Sequence, residues 1–540
     1  MKRSSILLVV ALAVVLVLTW SFLALAQEET SELELQTAEA AFQAADKGNP
    51  DPAWQGQKFT IGVYSAGPRG AISGPLYFWR PFFEKLTGAT YDIVEIPFGE
   101  LREKIFTDLM TGTGYYDVII GPSWFYGDYV SNGWIVPIDK YFDDPRMPKW
   151  DRDSILLPIR ELLQWKGTWY GFNNDHDGQV LYYRRDILTD PKWQELFKQE
   201  KGYDLPVPPR TWEEVYDVCD FFNGKDWNGD GEKDYGITMH LKVGGQGFFH
   251  FMALSAPYVV SPAPGDDPTK VTRYHNVYWF DPETMEPLVD TPGFVEALKM
   301  LLKLSKTGPS AMWGWSLGEA WDAFLRGKAV LTFSWGDVGS LSQLPESSNI
   351  KGKLGVAPIP GSEKYYDLET QQWVNQRNFV ANTVGASWHG VISKFSKKQD
   401  LAAYFLSWQA TPEINHWNVV WGWTGIDPGT LYDLLKPTGY ADIEDYVQTG
   451  YDAEDARQFV TAYEEMWYKY PLRQAYLRIP GTPEYWEVWD IHLSEAVVGQ
   501  VSPEEALRRT KEDWNAITDR LGRENQKKIY QEAIGYVPEK

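Results

Sequence analysis

An α/β fold built on a doubly wound parallel sheet is what this sequence predicts, and three observations predict it. Between residues 58 and 120 the hydrophobic pattern alternates strand, helix, strand, helix, strand. The chain has 540 residues, too many for one hydrophobic core and enough for two or three domains. Further on, amphipathic helices such as 291–305 again alternate with short apolar strands such as 329–334.

The elements follow in order. Residues 59–64 alternate as a strand, and 76–86 read as a helix broken or bent at Pro81. Residues 91–97 form a second strand. In 101–110 Leu101, Ile105, Phe106 and Leu109 share one helical face. Residues 117–120 are an apolar strand end stopped by Gly121-Pro122. In such sheets the ligand crevice lies beyond the carboxyl ends of the strands, here the loops 65–69, 97–100 and 123–126. Short strands at 168–172 and 179–183 flank the polar run Asn173-Asn174-Asp175-His176-Asp177. Thr211 and Glu214 form a capping box for a helix whose apolar stripe is Trp212, Val215, Tyr216, Cys219 and Phe222. Helices at 316–327, 400–409 and 503–520 and a strand at 353–357 complete the reading.

Composition narrows the function. Lys2 and Arg3, an apolar run at 6–18 and Ala24-Leu25-Ala26 predict a secretory signal peptide at 1–26, with an uncleaved anchor as the alternative. Residues 27–57 are expected to be an acidic, solvated tether, helical in part. The net charge of −23 becomes −25 on cleavage, which disfavours nucleic acid and anionic lipid as partners. The single cysteine, Cys219, excludes a disulfide framework and falls on a buried stripe. The anomaly is the aromatic content, 26 Trp and 31 Tyr, suited either to a large core or to platforms for the apolar faces of sugar rings.

The order of segments resembles family 1 of the extracellular solute-binding proteins of ABC transporters, the group that contains maltose-binding protein. The similar stretches include 100–123, 169–188 with Leu-Tyr-Tyr-Arg-Arg-Asp, 209–215 with Pro-Arg-Thr-Trp-Glu-Glu-Val, 319–336, 386–406 and 480–507. The resemblance implies a type II periplasmic-binding-protein fold: two α/β lobes joined by a hinge, with the ligand between them. It places the first lobe at 58–175 plus 335–385, the second at 176–334 plus 386–525 and a tail at 526–540, with crossings near 175–178, 332–334 and 384–389. Insertions fall near 258–290 and 425–478. It further implies a secreted protein of the periplasm or cell surface, read as a monomer, that captures a carbohydrate, expected to be an oligosaccharide, by lobe closure and delivers it to ABC transporter permease subunits. No enzyme activity and no catalytic cofactor are expected. The alternatives are a secreted carbohydrate-active hydrolase and the same binding fold with a non-sugar ligand.

Ligand-binding candidates follow from position and from the resemblance. Trp124 lies beyond the third strand; Trp335 and Asp337 follow a strand near a crossing; Trp388 and His389 lie at the next. The resemblance adds Asp177 and Trp486 as ligand contacts and Phe249, or its neighbour Phe248, as an aromatic contact. Trp423 joins Trp313, Trp315 and Trp421 as further platforms. A second constellation is Asp226, Asn228, Asp230, Glu232 (through its carbonyl) and Asp234, with Gly231 at the turn, which predicts a structural Ca2+ loop. Position 12 is Ile237, so the loop is not a complete EF-hand, and a polar turn is the plain alternative. Gly314-Trp315-Ser316-Leu317-Gly318 matches a nucleophile elbow, but no strand precedes it, and Ser316 with Glu319 reads as a helix cap.

Overall fold

The computed structural model describes residues 32–64, 72–423 and 425–538. The predicted signal peptide, the first residues of the tether and the loop 65–69 lie outside the described residues. Helix α1 (Glu32–Ala44) is a compact unit by itself, and the chain from Ala45 onward forms the other.

The strands used below are β1 (Lys58–Tyr64), β2 (Thr90–Ile96), β3 (Val118–Pro122), β4 (Phe172–Asn173), β5 (Val180–Arg184), β6 (Tyr235–Thr238), β7 (Ala329–Ser334), β8 (Leu354–Ala357) and β9 (Trp388–Ile392). One sheet runs β2-β1-β3-β9-β4 and the other β8-β5-β7-β6. In the first, β1 is parallel to β2 (Ile61 opposite Ile93) and to β3 (Ile61 opposite Val118), as the alternation predicts. In it β3, between β1 and β9, is buried along its whole length, which is why it reads as a continuous apolar run. β9 enters antiparallel between β3 and β4, with His389 opposite Gly121 and Asn173. The second sheet is mixed, with β6 parallel to β7 and β5 antiparallel to both neighbours.

Helices cover these sheets. They include α2 (Gly74–Thr87), α3 (Phe98–Thr111), α4 (Phe248–Val259), α5 (Leu317–Leu325), α6 (Pro412–Trp421), α7 (Ala453–Lys469) and α8 (Thr482–Val497). Of the break or bend expected at Pro81, the break does not occur: α2 continues to Thr87, with Trp79 and Phe83 on either side fully buried. Trp79 donates its Nε1–H to Asn418 Oδ1 at 2.8 Å and meets Trp417 of α6 edge-on at 5.0 Å. Cys219 is fully buried, as its stripe predicts.

The strand pairing corrects the expected partition of the lobes. β8 lies at 354–357, inside the stretch assigned to the first lobe, yet it pairs with β5 of the second sheet. β9 lies at 388–392, in the stretch assigned to the second lobe, yet it pairs with β3 of the first. Residues 332–334 are therefore not a crossing: β7 ends there within the second sheet, and the chain returns through β8 to the same sheet. The chain crosses at 174–179, at 382–387, and again between α6, which packs on α2, and α7, whose Gln458 Oε1 accepts the N–H of Val356 in β8. Both ends of the body are also more ordered than expected. Trp54 is buried against Tyr404, so residues 45–57 are docked, not a free tether. The tail forms a helix over Arg523–Ile534 because Tyr530 buries itself on Phe280.

Asn382 holds the second crossing to the first. Its Oδ1 accepts the N–H groups of Gln179 and Val384, and its Nδ2 donates to the Gln179 carbonyl at 3.0 Å. Asn382→Leu leaves those buried backbone groups unpaired, each costing about 1–3 kcal/mol. We expect a loss of at least about 2 kcal/mol in urea unfolding; an unchanged midpoint would refute this role for Asn382.

Candidate functional site

The first sheet positions one wall of a chamber. β1, β3 and β9 are neighbours, so the carboxyl ends of the two parallel strands and the amino end of antiparallel β9 meet at one edge. Tyr64 ends β1, Trp124 follows β3 and Trp388 opens β9. Tyr64 stacks on Trp388 at 5.2 Å, and Trp124 meets Trp388 edge-on at 6.0 Å. Phe98, at the start of α3, closes against Tyr64 and Trp124.

The second sheet supplies the facing wall. Trp335 and Asp337 follow β7; the Trp335 Nε1–H donates to the Val384 carbonyl at 2.6 Å, which fixes the indole. Trp321 of α5 is fixed by its Nε1–H on Ser334 Oγ at 2.9 Å. Between the walls lies a chamber of about 310 Å³ whose described lining also includes Asp177, Gln246 and Ser316. An outer groove of about 600 Å³ shares Phe98, Trp124 and Gly244 with it and continues along α3 and α8.

The crossing at 382–387 is shaped by this chamber. Gly385 has φ +104°, and a Cβ there would lie 2.4 Å from Asp177 Cγ and 2.5 Å from Trp335 Nε1, so only glycine fits. Ala386 and Ser387 follow at φ +57° and +55°. Three left-handed residues in a row store strain that the surrounding contacts must hold. Ser123 Oγ donates to the Ala386 carbonyl, and Ser387 Oγ accepts the Asp177 N–H at 3.0 Å.

Four carboxylates gather at the same place. Asp177 and Asp337 line the chamber, and Asp175 and Asp427 stand behind. One oxygen each from Asp175, Asp177 and Asp427 lies within 4.8 Å of the others. Asp175 Oδ1 accepts the N–H groups of His176 and Asp427, and Asp427 Oδ2 accepts from the Gly336 N–H and the Tyr463 hydroxyl. Asp175 Oδ2 and Asp177 Oδ2 are buried without a hydrogen-bond partner. Burial pushes Asp175 up to about 8 and Asp337 up to about 6. Asp177 and Asp427 are raised well above the carboxylate range by burial and then by the neighbouring acids.

The candidates named from sequence divide accordingly. Trp124, Asp177, Trp335, Asp337 and Trp388 come together in the chamber lining. His389 does not: successive strand residues face opposite ways, and its ring turns to Tyr126, with Nδ1 at 3.3 Å from that hydroxyl. Phe249 is fully buried behind Trp124 and Trp335, while Phe248 reaches the outer groove. Trp486 lines the outer groove, only 3 % exposed among Trp124, Phe248 and Tyr476. Trp423 is partly buried and packs on Phe78, away from the lining. Sequence reasoning missed Tyr64, Phe98, Trp321, Gln246 and Asp427. An aromatic residue closing a strand was a legible signal for Tyr64; nothing local marks Asp427.

The expected calcium loop also takes shape. Oxygens of Asp226, Asp230 and Asp234 lie within 4.8 Å of one another. Asp226 accepts the N–H groups of Gly229 and Gly231, closing the turn. Asp234 is 1 % exposed, neither carboxylate oxygen has a hydrogen-bond partner, and burial lifts it to about 6. The Lys328 ammonium stands 2.7 Å from Asp230, 2.9 Å from the Glu232 carboxylate and 3.8 Å from Asp234 Oδ1. Ser316 and Glu319 form the capping box of α5, as read from the spacing.

The raised acids set a pH dependence. A folded carboxyl near 8 against about 3.9 unfolded means the folded state binds more protons in between, so stability falls as pH rises through that window. The buried histidines His176, His240, His250 and His389 are held below the ordinary range by burial and act in the opposite sense, but only below about 6.5, where the unfolded chain protonates. We expect the melting temperature to decline from about pH 6.5 to 8 and Asp175→Asn to flatten that decline. Scanning calorimetry across this range checks it; identical slopes would contradict it.

Comparison with known proteins fits this architecture. The chain is 22% identical over 312 residues to a mannitol-binding protein of Pseudomonas aeruginosa, covering 57% of this chain and 59% of that relative. It is 21% identical over 345 residues to a probable amino-acid ABC transporter periplasmic-binding protein of Sinorhizobium fredii, covering 62% and 64%. The matched stretches thus span less than two thirds of either relative. A solute-binding protein of Agrobacterium radiobacter K84 solved with ribitol superposes with a TM-score of 0.64 at 19% identity, over 86% of this chain and 99% of that one. One from Agrobacterium vitis S4 with bound D-mannitol gives 0.63 at 21%, over the same shares. With residues 70–415 matching the family profile, the chain belongs to the bacterial extracellular solute-binding proteins.

Proposed function

We propose that this protein captures a carbohydrate or polyol between its lobes and presents it to a membrane permease of an ABC importer. The observation that carries this reading is the chamber itself: indole and phenol faces from both lobes enclose two carboxylates in one space. Aromatic faces suit the apolar side of a sugar ring, and carboxylates hold neighbouring hydroxyls. The polyol and mannitol ligands of the relatives support the same class. The outer groove beyond Trp124 provides room for further units, which favours an oligosaccharide. Because the walls come from two lobes joined by crossing segments, a ligand that touches both shifts the population toward the closed form. The Ser316 hydroxyl is engaged in helix capping, which favours binding over an acyl-transfer chemistry.

In this reading Ca2+ occupies the loop of Asp226, Asn228, Asp230, the Glu232 carbonyl and Asp234, and acts structurally. Its support is the buried Asp234 carboxylate that lacks a hydrogen-bond partner.

Two measurements test these readings. A melting-temperature screen against hexitols, pentitols, hexoses and maltose oligomers should reveal at least one stabilising ligand, worth about 2.7 kcal/mol at a hundred times its dissociation constant. Trp388→Ala should weaken that ligand about tenfold or more. A panel without any shift, or products appearing on incubation, would reject the binding reading. Separately, calorimetric titration of chelator-treated protein with Ca2+ should give heat and a higher melting temperature, both lost in Asp234→Asn; no response would reject the metal.

A further inference from the structure

The chamber is lopsided in charge. Its described lining carries Asp177 and Asp337 and no lysine, arginine or histidine. Behind it Asp175 and Asp427 add two more carboxyls, and none of the four forms an ion pair with a basic side chain among the described residues. Buried carboxylates without a counter-charge are costly, and proteins normally pair them. Among the described residues they pair with N–H groups and one tyrosine hydroxyl, and Asp177 Oδ2 has no hydrogen-bond partner there.

Hydrogen-bond character leans the same way. The indole N–H groups of Trp335 and Trp321 are spent on Val384 and Ser334, so they offer the chamber ring faces instead of donors. The described lining thus turns two carboxyls and several π-faces to the space, with the Gln246 amide and the Tyr64 and Ser316 hydroxyls as its neutral side-chain oxygens. A neutral polyol donates and accepts in equal measure, whereas an ammonium has three donors and no acceptor. Aromatic faces beside carboxylates are also the surroundings that hold organic cations.

A divalent metal fits less well. Asp175 Oδ1 and Asp427 Oδ2 already accept two hydrogen bonds each, and Ca2+ takes six to eight oxygens. The chamber-facing acids stand mostly among indoles, which supply none, and only Tyr64, Gln246 and Ser316 add neutral side-chain oxygens to the described lining.

We propose that the captured solute carries an ammonium group, seated against Asp177 and Asp337 and the faces of Trp335 and Trp388, so that the ligand class is an amine-bearing sugar or polyol. This rests on the binding reading above and narrows it: the solute itself supplies the counter-charge that the described lining does not hold.

Calorimetry on the whole chain tests it with glucosamine and its β-1,4 oligomers, their N-acetylated twins, glucose and mannitol, with choline and methylammonium as bare cations and with CaCl2 and MgCl2. The amine forms should bind at least tenfold more tightly than their acetylated twins. Asp177→Asn and Asp337→Asn should each erase that preference, and both replacements keep the side-chain shape. Equal binding of amine and neutral forms by the unaltered protein would overturn the proposal and assign the acids to hydroxyls. A response to CaCl2 or MgCl2 that is lost in Asp177→Asn, with the amines inert, would overturn it in favour of a metal. Choline binding with every carbohydrate inert would support the cation site and reject the carbohydrate reading. Inertness of all probes would reject both.

Discussion

The gathering of four buried carboxyls at the crossing between the lobes is the constraint on which the rest of the site depends. Asp175 and Asp177 sit on the first crossing, Asp337 follows β7, and Asp427 comes from a distant insertion. Bringing four carboxyls together in a buried place has a cost that only protons, donors or a cation can offset. The fold keeps two of these acids behind the chamber, where N–H groups and a tyrosine hydroxyl reach them, and turns the other two to its lining. The segment at 385–387 is then forced into left-handed conformations, because Gly385 must pass against both Asp177 and Trp335. Crossing, acid cluster and aromatic wall are therefore one object, and a change in any of them reaches the others through direct contact.

The overall architecture was legible because it rests on local patterns. Periodicity in 58–120 gave β1, α2, β2, α3 and β3 in order, and the apolar run in β3 reflected a strand with neighbours on both sides. Strand partnership was not legible. β8 and β9 are short apolar strands of the same appearance, and nothing in either says which sheet receives it; only the long-range pairing with β5 and β3 decides. The expected partition was inverted there for that reason. Pro81 left a break and a bend both open; the helix runs on past it, held by the burial of Trp79 and Phe83 on either side.

Within the site, position along a strand was informative and side-chain direction was not fully so. Trp124, Trp335 and Trp388 were found from strand ends, where backbones must deliver side chains to the crevice. His389 and Phe249 were named beside the right residues but face away, a matter of strand alternation in one case and of helix face in the other. Asp427 could not be found, since its only signal is spatial: an N–H on Asp175 and a carboxylate receiving Gly336 and Tyr463.

The aromatic excess also resolves into two physical roles. Trp79, Trp212, Trp279, Trp408, Trp489 and Trp514 are fully buried and belong to the cores. Trp124, Trp321, Trp335 and Trp388 reach the chamber, and two of them have their N–H groups tied to the protein's own carbonyl or hydroxyl. That tie matters for recognition. An indole whose N–H is already satisfied presents a rigid face whose orientation costs no further ordering when a ligand arrives, so contact area converts to affinity with less entropic loss. The same fixation leaves polar recognition to the carboxylates, Gln246 and Ser316, few groups at defined places, and it is their charge and donor balance, more than the size of the chamber, that sets which solute the lobes can close around.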